Sequence, residues 1–184
     1  MLHRKRAVTA AALVCASLVV PATGAVAARV VGTANDDVLT GTPVHDRVLG
    51  RAGNDAVDAL DGPDRVLGGP GDDRLSGGDG NDRLLANAGA DVLDGGPGDD
   101  RLFALIRVDV DAPGADQVAG GEGNDRVHVR DGEPDVVSCG DGFDVARLDP
   151  SDVIADATPV NQNGSCERTI RQAPRPGFTG PEGS

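Results

Sequence analysis

An aspartate recurs every nine residues through the first half of this chain: Asp37, Asp46, Asp55, Asp64, Asp73, Asp82, Asp91 and Asp100. Carboxylates are hard oxygen donors, and a fold that stacks them brings like charges together. Two carboxylates about 5 Å apart repel by about 3 kcal/mol at an effective dielectric near 20. A domain with a total stability of roughly 5–15 kcal/mol cannot hold a row of such pairs uncompensated. A hard cation between them removes the repulsion. Ca2+ takes roughly six to eight oxygens in flexible geometry, which suits carboxylates mixed with turn carbonyls; Mg2+ demands a stricter octahedron.

The elements that must position these carboxylates follow from the same period. From Gly32 to Phe103 the chain divides into eight gapless blocks of nine. The sixth position is always Asp. The eighth is always Leu or Val: Leu39, Val48, Val57, Val66, Leu75, Leu84, Leu93 and Leu102. A short fixed repeat predicts a solenoid. The first six positions are rich in Gly, Asn, Asp and Pro, which form turns through positive φ and side-chain-to-backbone bonding. The last three read polar–apolar–polar or similar, a short strand with its middle side chain facing inward. Two turns return the chain to its start, so one coil takes two repeats. Repeats one coil apart then stack as parallel strands at the ~4.8 Å spacing of a sheet. Asp37, Asp55, Asp73 and Asp91 fall along one edge, and Asp46, Asp64, Asp82 and Asp100 along the other. The interior is a thin double ladder of Leu and Val, too narrow for aromatics, and the chain has three Phe, no Trp and no Tyr.

The blocks Gly68–Ser76 (GGPGDDRLS), Gly77–Leu85 (GGDGNDRLL), Gly95–Phe103 (GGPGDDRLF) and Gly120–His128 (GGEGNDRVH) resemble the repeats-in-toxin (RTX), or haemolysin-type calcium-binding, nonapeptide Gly-Gly-x-Gly-x-Asp-x-Leu-x. The resemblance covers about residues 32–147. It implies an all-β, right-handed parallel β-roll, a β-solenoid with two nonapeptide repeats per coil. It also implies several Ca2+ ions held between turns one coil apart. Carried over, the metal residues are the eight aspartates above with Asp116 and Asp125, and the turn residues Gly68, Gly71, Gly77, Gly80, Gly95 and Gly98. The turns at Gly77–Asp82 and Gly95–Asp100 are complete. Arg51 replaces one Gly, and Ala86-Asn87 replaces Gly-Gly.

Outside the repeats, Arg4, Lys5 and Arg6 precede an uncharged apolar run, Ala7–Val20, and Ala25-Val26-Ala27 offers small residues for cleavage. Residues 1–27 read as a secretory signal peptide. The apolar run is shorter than the ~20 residues of a membrane span. Without it, 14 arginines face 30 acidic residues, a net charge of −16. Cys139 and Cys166 remain. In an exported chain they suggest one disulfide, worth about 3 kcal/mol by the chain-entropy model; the alternative is two free thiols. Residues 28–128 form the repeat β-roll. Residues 129–170 are expected as degenerate repeats, around Asp135 and from Cys139, and a C-terminal cap pinned by the disulfide. A longer half-buried strand is expected from Leu102 to Val110, and a disordered tail over 171–184.

The charge repels phosphate and no aromatic platform exists, which excludes nucleic acid as a partner. His45 and His128 form no HExxH pair, no serine lies in GxSxG, and no Walker lysine is present. Carboxylate pairs recur at every rung, which fits a structural metal ladder rather than a glycosidase acid/base pair. The sequence thus reads as a secreted, extracellular, non-enzymatic calcium-binding protein with a structural or interaction role. The alternative is a calcium-dependent accessory or targeting module of a secreted enzyme or toxin system.

Overall fold

The computed structural model describes residues 26–104, 114–155 and 165–172. The expected signal peptide lies almost wholly outside these residues. So do the expected strand beyond Ala104 and the tail beyond Gln172.

Fifteen short strands follow one another in this part of the chain: β1 (Arg29–Val31), β2 (Val38–Thr40), β3 (Arg47–Leu49), β4 (Ala56–Asp58), β5 (Arg65–Pro70), β6 (Arg74–Ser76), β7 (Arg83–Ala88), β8 (Val92–Pro97), β9 (Arg101–Phe103), β10 (Gln117–Glu122), β11 (Arg126–His128), β12 (Val136–Asp141), β13 (Val145–Leu148), β14 (Val153–Ile154) and β15 (Arg168–Arg171). Successive strands alternate between two sheets. The odd-numbered strands form an eight-stranded sheet in the order β1-β3-β5-β7-β9-β11-β13-β15. The even-numbered strands form a seven-stranded sheet in the order β14-β12-β10-β8-β6-β4-β2. Every pairing is parallel, and within the regular repeats the register is eighteen residues, as in Val48↔Val66 and Leu75↔Leu93. The protein is an all-β parallel β-solenoid with two repeats per coil.

The register explains the core. Eighth-position side chains of both sheets point inward and are buried: Val48, Val66, Leu84 and Leu102 from one, Leu39, Val57, Leu75 and Leu93 from the other. Burying each such side chain contributes roughly 1.5–3 kcal/mol. Ala59, Ala86 and Ala104 fill the space between. Position seven and position nine face outward on either side, so each three-residue strand gives the core one side chain, and longer strands add a second, such as Ala86 or Cys139.

Five strands run for six residues where three are expected. Coil-to-coil hydrogen bonding continues into the turns that follow them. Gly71 N donates to Ala88 O at 2.8 Å, and Gly98 N donates to Glu122 O at 2.6 Å. The turns are thus stacked backbone as regular as the strands.

The segment expected as degenerate repeats and cap adds strands to both sheets. β13 pairs with β11 and β15, and β12 with β10 and β14. The disulfide Cys139–Cys166 is formed, with its Cα atoms 5.1 Å apart, and ties the residues before β15 to β12. Among the described residues no helix is long and apolar enough to cross a membrane.

Candidate metal centre

Each sixth-position aspartate occupies the same place in its turn. From Asp55 onward its Oδ1 accepts the backbone N–H of the aspartate one coil earlier, and Asp46 Oδ1 accepts Ala28 N–H in the same way. On one edge Asp37 N donates to Asp55, Asp55 N to Asp73 and Asp73 N to Asp91, at 2.7–2.8 Å. On the other edge Asp46 N donates to Asp64, Asp64 N to Asp82 and Asp82 N to Asp100, at 2.6–2.7 Å. A second, exposed ladder runs beside it through position five and in the opposite sense: Asp72 N donates to Asn54 Oδ1, and Asn124 N to Asp99 Oδ1. Short side chains with a carbonyl-type oxygen at positions five and six are what these two bonds require.

The other carboxylate oxygen is the one left over. In Asp55, Asp64, Asp73, Asp82, Asp91, Asp100 and Asp125, Oδ2 is buried with no hydrogen-bond partner. Such a group normally costs roughly 1–3 kcal/mol, more when charged. It lies tucked under the first residue of its own turn. A β-carbon built on Gly77 would stand 2.3 Å from Asp82 Oδ2, and the same holds at Gly68 with Asp73 and at Gly95 with Asp100. The fourth-position glycines Gly71, Gly80 and Gly98 all have positive φ. At Gly98, φ is +146° and a β-carbon would meet Gly80 O at 1.7 Å, so only glycine allows this approach of coil to coil.

Burial pushes these carboxyls up, and the charge of the stacked neighbours adds to it, against the pull of the N–H that each accepts. Asp64, Asp91 and Asp125 are pushed up to about 6. Asp73 and Asp100 reach about 7. Asp116 reaches about 8. The site therefore consists of paired, buried carboxylates whose ionised form lacks a positive partner. This chemistry fits a hard divalent cation.

The first two rungs differ. Thr33 N donates to Asp37 Oδ2 at 2.5 Å, and Thr33 Oγ1 donates to it at 2.9 Å. Thr42 N and Thr42 Oγ1 donate to Asp46 Oδ2 in the same way. Threonine at position two supplies a hydroxyl donor that glycine lacks, and in these two turns its N–H reaches the carboxylate as well.

All ten aspartates named from the sequence stand in the two ladders, but the ladders are longer. Asp91 N donates to Asp116, Asp116 N to Asp135 and Asp135 N to Asp152. Asp100 N donates to Asp125, Asp125 N to Asp144 and Asp144 N to Glu167 Oε2. Asp135, Asp144, Asp152 and Glu167 are not among the metal residues expected from the sequence, although a degenerate repeat is expected around Asp135. Asp135 and Asp144 were within reach by allowing one inserted residue after His128. Glu167 shows itself by the following Arg-Thr-Ile, an echo of Asp-Arg-Val-Leu at 64–67. Asp131 was missed as well. It occupies position three of the lengthened unit, and its carboxylate joins those of Asp116 and Asp135, the ligand atoms lying within 4.8 Å of one another. Asp135 is the most perturbed of the three, pushed up to about 9 by burial and then by the charges of Asp131, Asp116 and Asp152.

The chain matches the RTX calcium-binding nonapeptide repeat (4 copies) family over residues 31–66, 67–102 and 112–133, just over half of its length. It belongs to that family. No curated protein matches the chain.

Proposed function

We propose that this protein is an exported calcium-binding β-roll whose folding is coupled to Ca2+ held between its stacked turns, and whose folded rod has a structural or interaction role outside the cell. The observation that carries the reading is the row of buried, unpartnered Oδ2 atoms along both edges. Asp73 with Asp91 on one edge, and Asp82 with Asp100 and Asp125 on the other, are the residues to hold the ions, together with turn carbonyls. Bound Ca2+ supplies the positive charge that these buried carboxylates lack, and so stabilises the folded state by linkage. The fixed Oδ1 bonds orient each carboxylate before any ion arrives. The disulfide Cys139–Cys166 supports export to an oxidising compartment. The carboxylates act here as ligands and not as acid/base catalysts, since the same group recurs at every rung.

Circular dichroism with Ca2+ and after EDTA tests the proposal, alongside calorimetric titration of Ca2+. Loss of strand signal in EDTA and its recovery with Ca2+ is the expected result. A folded spectrum indifferent to calcium would overturn it.

A further inference from the structure

The outer face of the odd-strand sheet carries a second ladder, of the opposite charge. Parallel register places Arg29, Arg47, Arg65, Arg83, Arg101 and Arg126 side by side at position seven. Arg168 continues the row beyond Val145. Half of the fourteen arginines after residue 27 thus stand in one line, although the chain as a whole is strongly acidic. Parallel to it runs a half-buried apolar row at position nine: Leu49, Leu67, Leu85 and Phe103. Between the two rows lies a groove of about 160 Å³ lined by Arg47, Arg65, Arg83 and the neighbouring leucines. The Arg83 guanidinium lies 4.9 Å from the Phe103 ring centre, leaning across the groove. Among the described residues no carboxylate stands within ion-pair distance of Arg47, Arg65, Arg83 or Arg101. The even-strand sheet has no counterpart: its position-seven row reads Val38, Ala56, Arg74, Val92, Gln117 and Val136.

Like charges directly opposite in a sheet repel, and among the described residues no carboxylate pairs with these four arginines. We propose that this face binds a linear acidic glycan, a polymer of sugar acids lying along the rod axis, with its carboxylates on the arginine row and its ring faces on the apolar row. Three features select that occupant. The cations repeat once per strand in a straight line, which matches a linear polyanion. Exposed Asp36 and Asp72 on one turn edge, and Asp61, Asp79 and Asp99 on the other, flank the sheet. They repel a broad anionic plane such as a membrane, but not a narrow chain confined to the groove. The apolar row gives sugar rings a surface that a bare phosphate polymer has no atoms to use.

The inference rests on the fold and not on the calcium reading, so a chain that folds without Ca2+ tests it equally. The test is calorimetric titration of the whole protein with size-fractionated oligogalacturonate at fixed Ca2+. Circular dichroism on each variant under the same conditions verifies folding. The expected result is binding that weakens with salt. The triple variant Arg65→Thr, Arg83→Thr, Arg101→Thr should lower affinity by roughly tenfold or more, and Arg74→Thr on the opposite sheet by about twofold at most. Three outcomes overturn the proposal: no binding by the folded protein; binding unchanged in the triple variant, which would place the glycan on cations at the turns; or tighter binding of phosphatidylglycerol vesicles or inorganic polyphosphate than of oligogalacturonate.

Discussion

The turns at Thr33–Asp37 and Thr42–Asp46 differ from the Gly-Gly turns further along in one respect that governs their chemistry. All hold a buried aspartate with Oδ1 or its own N–H in the coil-to-coil ladder. In the first two, threonine fills the remaining valence of Oδ2 with a backbone and a hydroxyl donor. At Gly77–Asp82 and Gly95–Asp100, Oδ2 has no donor at all. The comparison separates two ways of tolerating a buried carboxylate: complete its hydrogen bonds from within the chain, or leave an oxygen for a cation. The Gly-Gly dipeptide belongs to the second, because a second-position glycine has no side chain to offer.

The contrast can be broken at its strongest point first. Asp100→Ala strips the acceptor from the buried Asp82 N–H and removes a carboxylate from the middle of a ladder. It should cost about 3 kcal/mol of unfolding free energy at saturating Ca2+, whereas Asp37→Ala at the threonine end should cost about 1 kcal/mol. Denaturant unfolding with Ca2+ present measures both, and equal losses would erase the distinction.

Acid offers a second way to relieve the unpartnered oxygens. Nine carboxyls stand at about 6 to about 9 in the folded chain, from Asp64 and Asp91 at the low end to Asp116 and Asp135 at the high end. Their value in an unfolded chain is near 3.8. Folded carboxyls raised above the unfolded value hold more protons throughout that window. The metal-free protein therefore gains stability as pH falls from about 9 towards 4, and loses it as pH rises. His128, lowered to about 4 by burial and the nearby arginines, opposes this below about 6.5, and Asp99, lowered by its hydrogen bonds from Asn124, opposes it at the acid end, two groups against nine. In EDTA, strand content by circular dichroism should be greater at pH 4.5 than at pH 7.5. The reverse order would mean that the buried carboxylates are not what destabilises the metal-free state. The smallest effect is expected from Thr42→Ala. It removes one hydroxyl donor to Asp46 and should cost about 1 kcal/mol equally with and without Ca2+. A loss confined to one of the two conditions would show that this turn also depends on the ion.

Much of this was legible because one period carries both the core and the site. Wherever nine residues separate successive aspartates, the partner of Asp55 is Asp73 and the core neighbour of Val66 is Leu84, with no further information needed. Legibility fails where the period does. The ten-residue unit after His128 shifts Asp135 and Asp144 by one, and brings Asp131 within reach of Asp116. Glu167 replaces aspartate after a break in the repeat. Thr33 and Thr42 stand where the nonapeptide has its second Gly, and a template records only what a position lacks. It does not show that a hydroxyl there meets the carboxylate four residues on in the same turn. The arginine row was equally visible as Arg at position seven, but only the pairing of alternate repeats places all of it on one sheet.

The bridge between Cys139 and Cys166 has a consequence for how such a rod is assembled. In a stack whose coils contact only their neighbours, the first coil to form has nothing to rest upon, and each later one copies the edge already laid down. A covalent loop at the C-terminal end survives unfolding and keeps part of that first coil closed. In the oxidised chain it lowers the entropy cost of closing that coil, which gives templated stacking a covalent foothold at the C-terminal end.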